Sequence, residues 1–546
     1  MKTIVLLWLA LLFLRNTLFA QITISGTITA PDGSTPTLAH VSITPMSAFS
    51  MGKPSVETTN GKFRLTVEKA GYYKIWISAP NAKSISIPTI LTEKKKSITL
   101  DVALTSIRLI SPLTAAIIGV KGSNLQPMTP EPDGTFSFVA TASADTLAYR
   151  LYEVDMDAHS HNGTQSDYFV YDGGGDYYSV LRTKSGEQVK IIFDPKKMFQ
   201  SPEQAMPKVK WDKAYAYLSK LFELEERFDR ELANARLAYQ KAKAANPADL
   251  ANFTYDNSAF TKELETIQNN PSERLEVRQF AALMRFSALP YEKQTKAEAQ
   301  SLLSFIPVSS PMWGWNSSVI GTIGDRFSEN QPDTAIQLLT EFKEKNPDRS
   351  VQCEALFGLG RLARGNKEKL RSIYNEFKTN YADLPMAKLA LMEFNPDKAI
   401  QVGNPVPDFE IKLLTGETVS RTSMLGKYYL IDFWAVWCGP CVGEMPKLHE
   451  AYEKYKGKKG FEILSLSFDS SPDDIAKFRA AKFNMPWLHA FIENGFNNDL
   501  SKRFEVAGIP KPILVDDKGT IIATDMDLRG KNLDKTLAKH LDMSRN

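Results

Sequence analysis

Cysteine is scarce in this chain: 546 residues contain three. That number rules out a small scaffold stapled by many disulfides. A zinc site around one C-x-x-C needs two further ligands at short spacing, yet no second C-x-x-C exists and His449 is the only candidate nearby. Charge of one sign is also missing. Lysine and arginine total 66 against 63 acids, and losing Lys2 and Arg15 with a leader takes the balance from +3 to +1. No field of that size recruits nucleic acid or anionic lipid. Long apolar runs are absent as well. The N-terminal run Ile4–Leu14 covers 11 residues, too few to span a bilayer comfortably.

What the chain does have is two of its three cysteines at 438 and 441, closing the stretch YYLIDFWAVWCGPC. A hydrophobic strand with one embedded acid, Asp432, runs into C-G-P-C, which predicts a strand, a turn and a helix that starts at the first cysteine. This is the sequence form of a dithiol/disulfide redox centre. Cys438 falls at the helix N-terminus, where free N–H groups and the macrodipole favour a thiolate. Cys441 lies one turn on along the same face. Cys438 is the expected exposed attacker and Cys441 the shielded resolving thiol. Haem attachment would need histidine at 442, where Val442 stands. Asp432, between Ile431 and Phe433, is expected to be poorly hydrated, with a raised pKa suited to acid–base work. Cys353 sits in the apolar stretch CEALFGLGRLA and reads as a buried small hydrophobe.

Residues 403–546 resemble the TlpA/ResA-like thiol–disulfide oxidoreductases of the thioredoxin fold. The motifs that carry the likeness are GNPVPDFEIKLLTGETVSRTSMLGKYYLIDFWAVWCGPC, then CVGEMPKL, then AGIPKPILVDDKGTI. The resemblance implies catalytic roles for Cys438, Cys441 and Asp432, and packing of Trp437 beside the site. It implies a cis peptide before Pro510, with Ile509, Pro510, Lys511 and Trp437 meeting the substrate. Glu444 is either a pKa-tuning acid or a solvated helix position, and Pro446 kinks the helix. Lys511 replaces the family's usual threonine; it either favours the Cys438 thiolate or points away into solvent. FEILSLSFD lacks the lysine that partners the buried acid in small thioredoxins, which leaves water or another acid such as Asp469 to carry the proton.

Upstream, residues 1–20 read as a secretory signal peptide: Lys2, the apolar run, then Ala20 before Gln21. Alternating segments broken by PDG, NG and PN turns predict an antiparallel β-sandwich-like domain over 21–105. A second β-rich unit is expected over 106–199, with FSFVATASADTLAYRLY echoing FRLTVEKAGYYKIWIS. Residues 200–398 carry helical periodicity and resemble tetratricopeptide-like hairpins. A thioredoxin-like domain fills 399–546. WGW at 313–315 is a candidate exposed contact. His159, His161, Asp155, Asp157 and Asp167 cluster in HSHNGTQSDYF and its approach, but they match no ligand spacing, so no metal and no cofactor are expected.

Together these expectations describe a multi-domain exported protein of the periplasm or cell envelope, with no stable membrane span after signal cleavage and no nucleic-acid partner. Its partners would be cysteine-containing envelope proteins, apocytochromes among them, and a membrane thiol reductant. Two alternatives stand beside this. One is a thiol peroxidase, although Ala435 occupies the position where peroxiredoxins carry threonine or serine. The other is an interaction scaffold with an accessory redox domain.

Overall fold

The computed structural model of the chain describes residues 21–48, 52–155, 160–202, 205–245, 253–329 and 331–542. The expected signal peptide lies outside them. Two compact units result. The first runs to residue 362 and takes back 381–387; the second comprises 363–380 and everything from 388.

In the first unit, strands with apolar residues at every second position bury one face each. They are β1 (Ile22–Thr29), β2 (Ala39–Pro45), β3 (Ser55–Thr58), β4 (Lys62–Val67), β5 (Gly71–Ser78), β6 (Ile85–Leu91) and β7 (Ser97–Ala103). They form two sheets, one ordered β3-β2-β5-β6 and the other containing β7-β1-β4. The expected all-antiparallel pattern fails at one pairing. β1 and β7 run parallel, with Thr23 opposite Ser97, because the chain passes through the other sheet between them and returns in its original direction.

The second β-rich stretch holds β8 (Ile117–Val120), β9 (Gln126–Pro127), β10 (Thr129–Pro130), β11 (Phe136–Thr141), β12 (Thr146–Tyr152), β13 (Tyr168–Tyr171), β14 (Tyr177–Arg182) and β15 (Gln188–Phe193). These make a five-stranded sheet, β13-β14-β12-β8-β9, and a three-stranded one, β10-β11-β15. They enclose a core of their own around Tyr149, Leu151, Ile191 and Phe193. The echoing segments take similar places, since β4 and β5 lie in different sheets, as do β11 and β12. Their partners differ: β4 pairs with β1, whereas β11 pairs with β15.

The stretch expected to be helical from residue 200 opens instead with a strand, β16 (Lys208–Trp211), which pairs antiparallel with β7. Helices follow from Leu218–Ala245 to Arg349–Leu362. One continuous core joins these helices to the first pair of sheets, from Ile22 to Ala355. Trp313 and Trp315 are buried in it. The expectation of an exposed WGW is therefore corrected: Trp313 Nε1 donates to the Pro307 carbonyl at 3.0 Å, and both rings pack edge-on against phenylalanines. Cys353 is fully buried, and burial pushes its thiol up to about 12.

The second unit takes in the helix Lys367–Glu376 and then a small hairpin, β17 (Glu410–Lys412) and β18 (Thr418–Ser420), followed by a five-stranded sheet. Its strands are β19 (Tyr429–Trp434), β20 (Glu462–Ser467), β21 (Leu488–Phe491), β22 (Lys511–Val515) and β23 (Ile521–Thr524), ordered β21-β20-β19-β22-β23. β19, β20 and β21 are mutually parallel, and β22 and β23 run antiparallel to the strands beside them. All six residues of β19 are buried, as a central strand covered on both faces requires. Helices Gly439–Tyr455, Pro472–Ala481 and Lys531–Leu541 follow the strands. No helix among the described residues is long and apolar enough to cross a membrane.

Candidate redox site

Strand direction assembles the site. Three parallel strands end on one edge of the sheet, where open α/β sheets place their ligands. β22 begins on that same edge because it runs the other way: Phe433 stands opposite Lys511, so Pro510 falls at the level of Trp434. The loop leaving β19 carries Cys438, the loop leaving β20 carries Asp469, and the segment entering β22 carries Ile509 and Pro510. The Ile509–Pro510 peptide bond is cis, as the resemblance implied.

Cys438 caps the helix Gly439–Tyr455, with Pro440 in its first turn. Its Sγ accepts the Cys441 N–H at 3.2 Å, and the two sulfurs are joined at 2.06 Å. The spacing of the motif is thus the spacing of a closed disulfide. The expectation of an exposed Cys438 is not met in this oxidised form, where Cys438 is 5% exposed and Cys441 1%. The exposed group is Trp437, at 59%. It is next in sequence to Cys438 and faces solvent. The helix runs on through Pro446.

Asp432 lies in the sheet opposite Ser465, and 3% of it is exposed. Burial raises its carboxyl to about 7; the like charge of Glu444 adds to this, while the Ser465 hydroxyl and Arg529 act against it. One oxygen, Oδ2, is buried with no hydrogen-bond partner among the described residues. Glu444 is no free helix position. It accepts the Gly530 N–H at 2.8 Å and pairs with Arg529 Nε at 3.3 Å. Arg529 was invisible to motif reasoning because it stands 85 positions from Glu444 in no recognisable pattern.

Lys511 is 8% exposed and pairs with Asp525 at 3.5 Å, so a lysine pointing into solvent is ruled out. Register places it on the face of Phe433, opposite to the face of Asp432. Asp469 has work of its own: its two carboxylate oxygens accept the Val436 N–H at 2.9 and 3.2 Å, and the Ser467 hydroxyl donates to it at 2.7 Å. It therefore ties the loop two residues before Cys438 to the end of β20.

The other candidates do not join this site. His449 packs against Trp487 with ring centres 4.9 Å apart and the rings tilted by 60°. Asp155 and His161 pair with each other, and Asp167 accepts the Arg182 N–H at 2.6 Å; Asp157 and His159 lie outside the described residues. Among those residues no group of three or more metal-ligating side chains occurs.

Comparison with known proteins agrees with this geometry. A family model described as thioredoxin-like matches residues 426–521. The ResA thiol-disulfide oxidoreductase of one Bacillus cereus strain is 28% identical over 148 residues, which are 27% of this chain and 81% of that protein. ResA of a second strain is 30% identical over 129 residues, 24% of this chain and 72% of the relative. Among solved structures, the thioredoxin domain of a Bacteroides vulgatus thiol-disulfide oxidoreductase is 31% identical, with 26% of this chain and 97% of that domain covered and a TM-score of 0.24.

Proposed function

The chain belongs, through a stretch that makes up 24% of it, to the ResA-type thioredoxin-like thiol–disulfide oxidoreductases, and on that premise we propose that it is exported and reduces disulfides of cysteine-containing envelope proteins. The observation that carries this is the Cys438–Cys441 disulfide capping a helix at the same sheet edge as Pro510, entered from the strand that holds the buried Asp432, whose carboxyl is raised to about 7.

In the reduced enzyme the Cys438 thiolate attacks one sulfur of the partner disulfide. That S–S bond breaks, its other sulfur leaves as a thiolate and takes a proton from water, and Cys438 is left in a mixed disulfide. Cys441 then loses its proton and attacks Cys438 Sγ. The partner's second thiol is released and the 438–441 disulfide closes; two electrons have passed to the partner. Asp432 is the proposed acceptor of the Cys441 proton. Glu444, one turn beyond Cys441 on the same helix face, lies close enough to Asp432 to raise it, which supports that assignment. A thiol reductant must reopen the pair, and a membrane dithiol protein fits that role. Trp437, Ile509 and Pro510 are the proposed partner contacts. Lys511 is proposed to act on them only through its place in β22. Residues 399–546 act as the redox domain. The regions 21–105, 106–199 and 200–398, the last with tetratricopeptide-like helices, present or recognise partners, apocytochromes being one class.

The test is a trap. With Cys441→Ser in the native host, Cys438 accumulates covalent adducts with envelope proteins that dithiothreitol releases, and mass spectrometry identifies them. A Cys441→Ser protein that forms no adducts while Cys438 alkylates readily would sink the proposal.

A further inference from the structure

A tryptophan that no motif singles out is bonded to the neighbour of the buried acid. Trp487 immediately precedes β21 and is buried. Its indole is held by rings from two elements. His449 and Tyr452 of the cysteine-bearing helix have their ring centres 4.9 and 5.4 Å away, and His489 of β21 is 6.0 Å away. Trp487 Nε1 donates to the Ser465 hydroxyl oxygen at 2.9 Å. Ser465 is fully buried on β20. It stands in register with Asp432 on one side and with His489 on the other. Residues in register on a sheet share a face, and the Ser465 hydroxyl hydrogen-bonds the Asp432 carboxyl.

What each group can do sets the direction of this chain. An indole N–H only donates, and a serine hydroxyl has one hydrogen. With its oxygen taken up by Trp487, Ser465 offers that hydrogen to Asp432. A hydroxyl that accepts while it donates is polarised into a better donor. Donation favours the carboxylate over the neutral acid, and only the carboxylate can take up a proton. Asp432 Oδ2 has no hydrogen-bond partner among the described residues, so one oxygen is left open to receive it.

We propose that Trp487 is a positioning residue for partner release: through Ser465 it holds the Asp432 carboxylate ready for the proton that Cys441 gives up. In that step the Cys441 proton moves to Asp432, Cys441 Sγ bonds to Cys438 Sγ, the bond from Cys438 to the partner breaks, and the partner sulfur leaves as a thiolate. This rests on the exchange reaction proposed above. The charged groups acting on Asp432 are Glu444, from the cysteine-bearing helix, and Arg529, from the segment entering Lys531–Leu541; Lys511 of β22 lies on the other face. Beside Trp487, burial holds His449 and His489 below the ordinary imidazole value, His489 at about 4, with Glu453 opposing this for His449 and Arg479 adding to it for His489. Tyr452 is pushed up to about 12 by burial. From about pH 7 to 9 these three rings therefore keep one charge state while Asp432 titrates.

Reduced full-length protein mixed with one equivalent of 5,5′-dithiobis(2-nitrobenzoate) in the stopped-flow releases thionitrobenzoate twice: when Cys438 attacks, and when Cys441 resolves the adduct. Trp487→Phe is expected to raise the pH midpoint of the second release by about half a unit, the scale of weakening one hydrogen bond to a charged group, and Ser465→Ala by more. Trp487→Phe adds nothing once residue 465 is alanine. In wild-type protein labelled with nitrogen-15 tryptophan, the Trp487 indole resonance moves with the same midpoint as the second release, and in Ser465→Ala it stays still. A midpoint untouched by Trp487→Phe, an equal slowing at every pH, a shift that persists without the Ser465 hydroxyl, or a wild-type indole resonance blind to the titration overturns the proposal. A wild-type protein that never gives the second release overturns the exchange reading itself.

Discussion

Replacing Asp432 by asparagine tests the electrostatics of the site directly. The native state holds the Asp432 proton up to about pH 7, whereas an ordinary aspartate releases it near 3.8. Between those values the folded protein binds a proton that the unfolded chain has lost, so stability falls as pH rises, and above about 7 the loss is constant. At about 1.4 kcal/mol per pH unit, a carboxyl moved that far costs roughly 4 kcal/mol at pH 8, as an upper figure. Asparagine has the same shape, no charge, and an oxygen that can accept from Ser465. Asp432→Asn should therefore match the wild type near pH 4 and exceed it by a few kcal/mol at pH 8. For a unit of this size that is on the order of 10 °C. Thermal proteolysis of the full-length oxidised protein, read by mass spectrometry of the peptide spanning β19, follows this unit alone. An offset between variant and wild type that is the same at pH 4 and pH 8 would refute a buried, proton-holding Asp432.

Four further outcomes are expected. The same Asp432→Asn change should slow release of partner from the Cys438 mixed disulfide by about 100-fold or more in stopped-flow, the usual scale of general acid–base assistance, while leaving initial attack by Cys438 little altered. Glu444→Gln removes the like charge that helps raise Asp432, so the Asp432 carboxyl should titrate at lower pH by carbon-13 NMR; an unchanged or higher value would remove Glu444 from the site's electrostatics. Asp469→Ala leaves the Val436 N–H without its acceptor and should cost about 1–3 kcal/mol in chemical unfolding, with Asp469→Asn restoring most of it. Iodoacetamide applied to the reduced native protein should label Cys438 within minutes and spare Cys353, whose thiol is buried and pushed up to about 12; equal labelling would contradict that burial.

Much of the redox site could be read from sequence because its chemistry is local. Asp432, Cys438 and Cys441 lie within ten residues, and one strand–turn–helix places them all. The cis peptide at Pro510 came from family likeness alone. The Glu444–Arg529 pair was hidden because only the folded sheet brings the two together. Lys511 was undecided because the face a strand residue takes depends on its register, here set by Phe433. In the first unit, alternation located the strands but not their partners, so the parallel pairing of β1 with β7 escaped. WGW misled because two tryptophans around a glycine in a short 3-10 segment carry no periodicity to show which way they point. KVKW was absorbed into the helical stretch since four residues, two of them lysine, give too weak an alternation to announce a strand.

That short strand has a consequence for how the polypeptide can be cut. β16 completes a ladder with β7 in which Ala103 faces Lys208. The intervening hundred or so residues leave and rejoin the molecule at adjacent points, like a passenger domain spliced into a hairpin. A deletion that joins Ala103 to Lys208 through Asn-Gly, the dipeptide suited to a two-residue turn, should yield a soluble, cooperatively folded protein. A truncation that stops at residue 105 should instead bare the flank of β7 and aggregate.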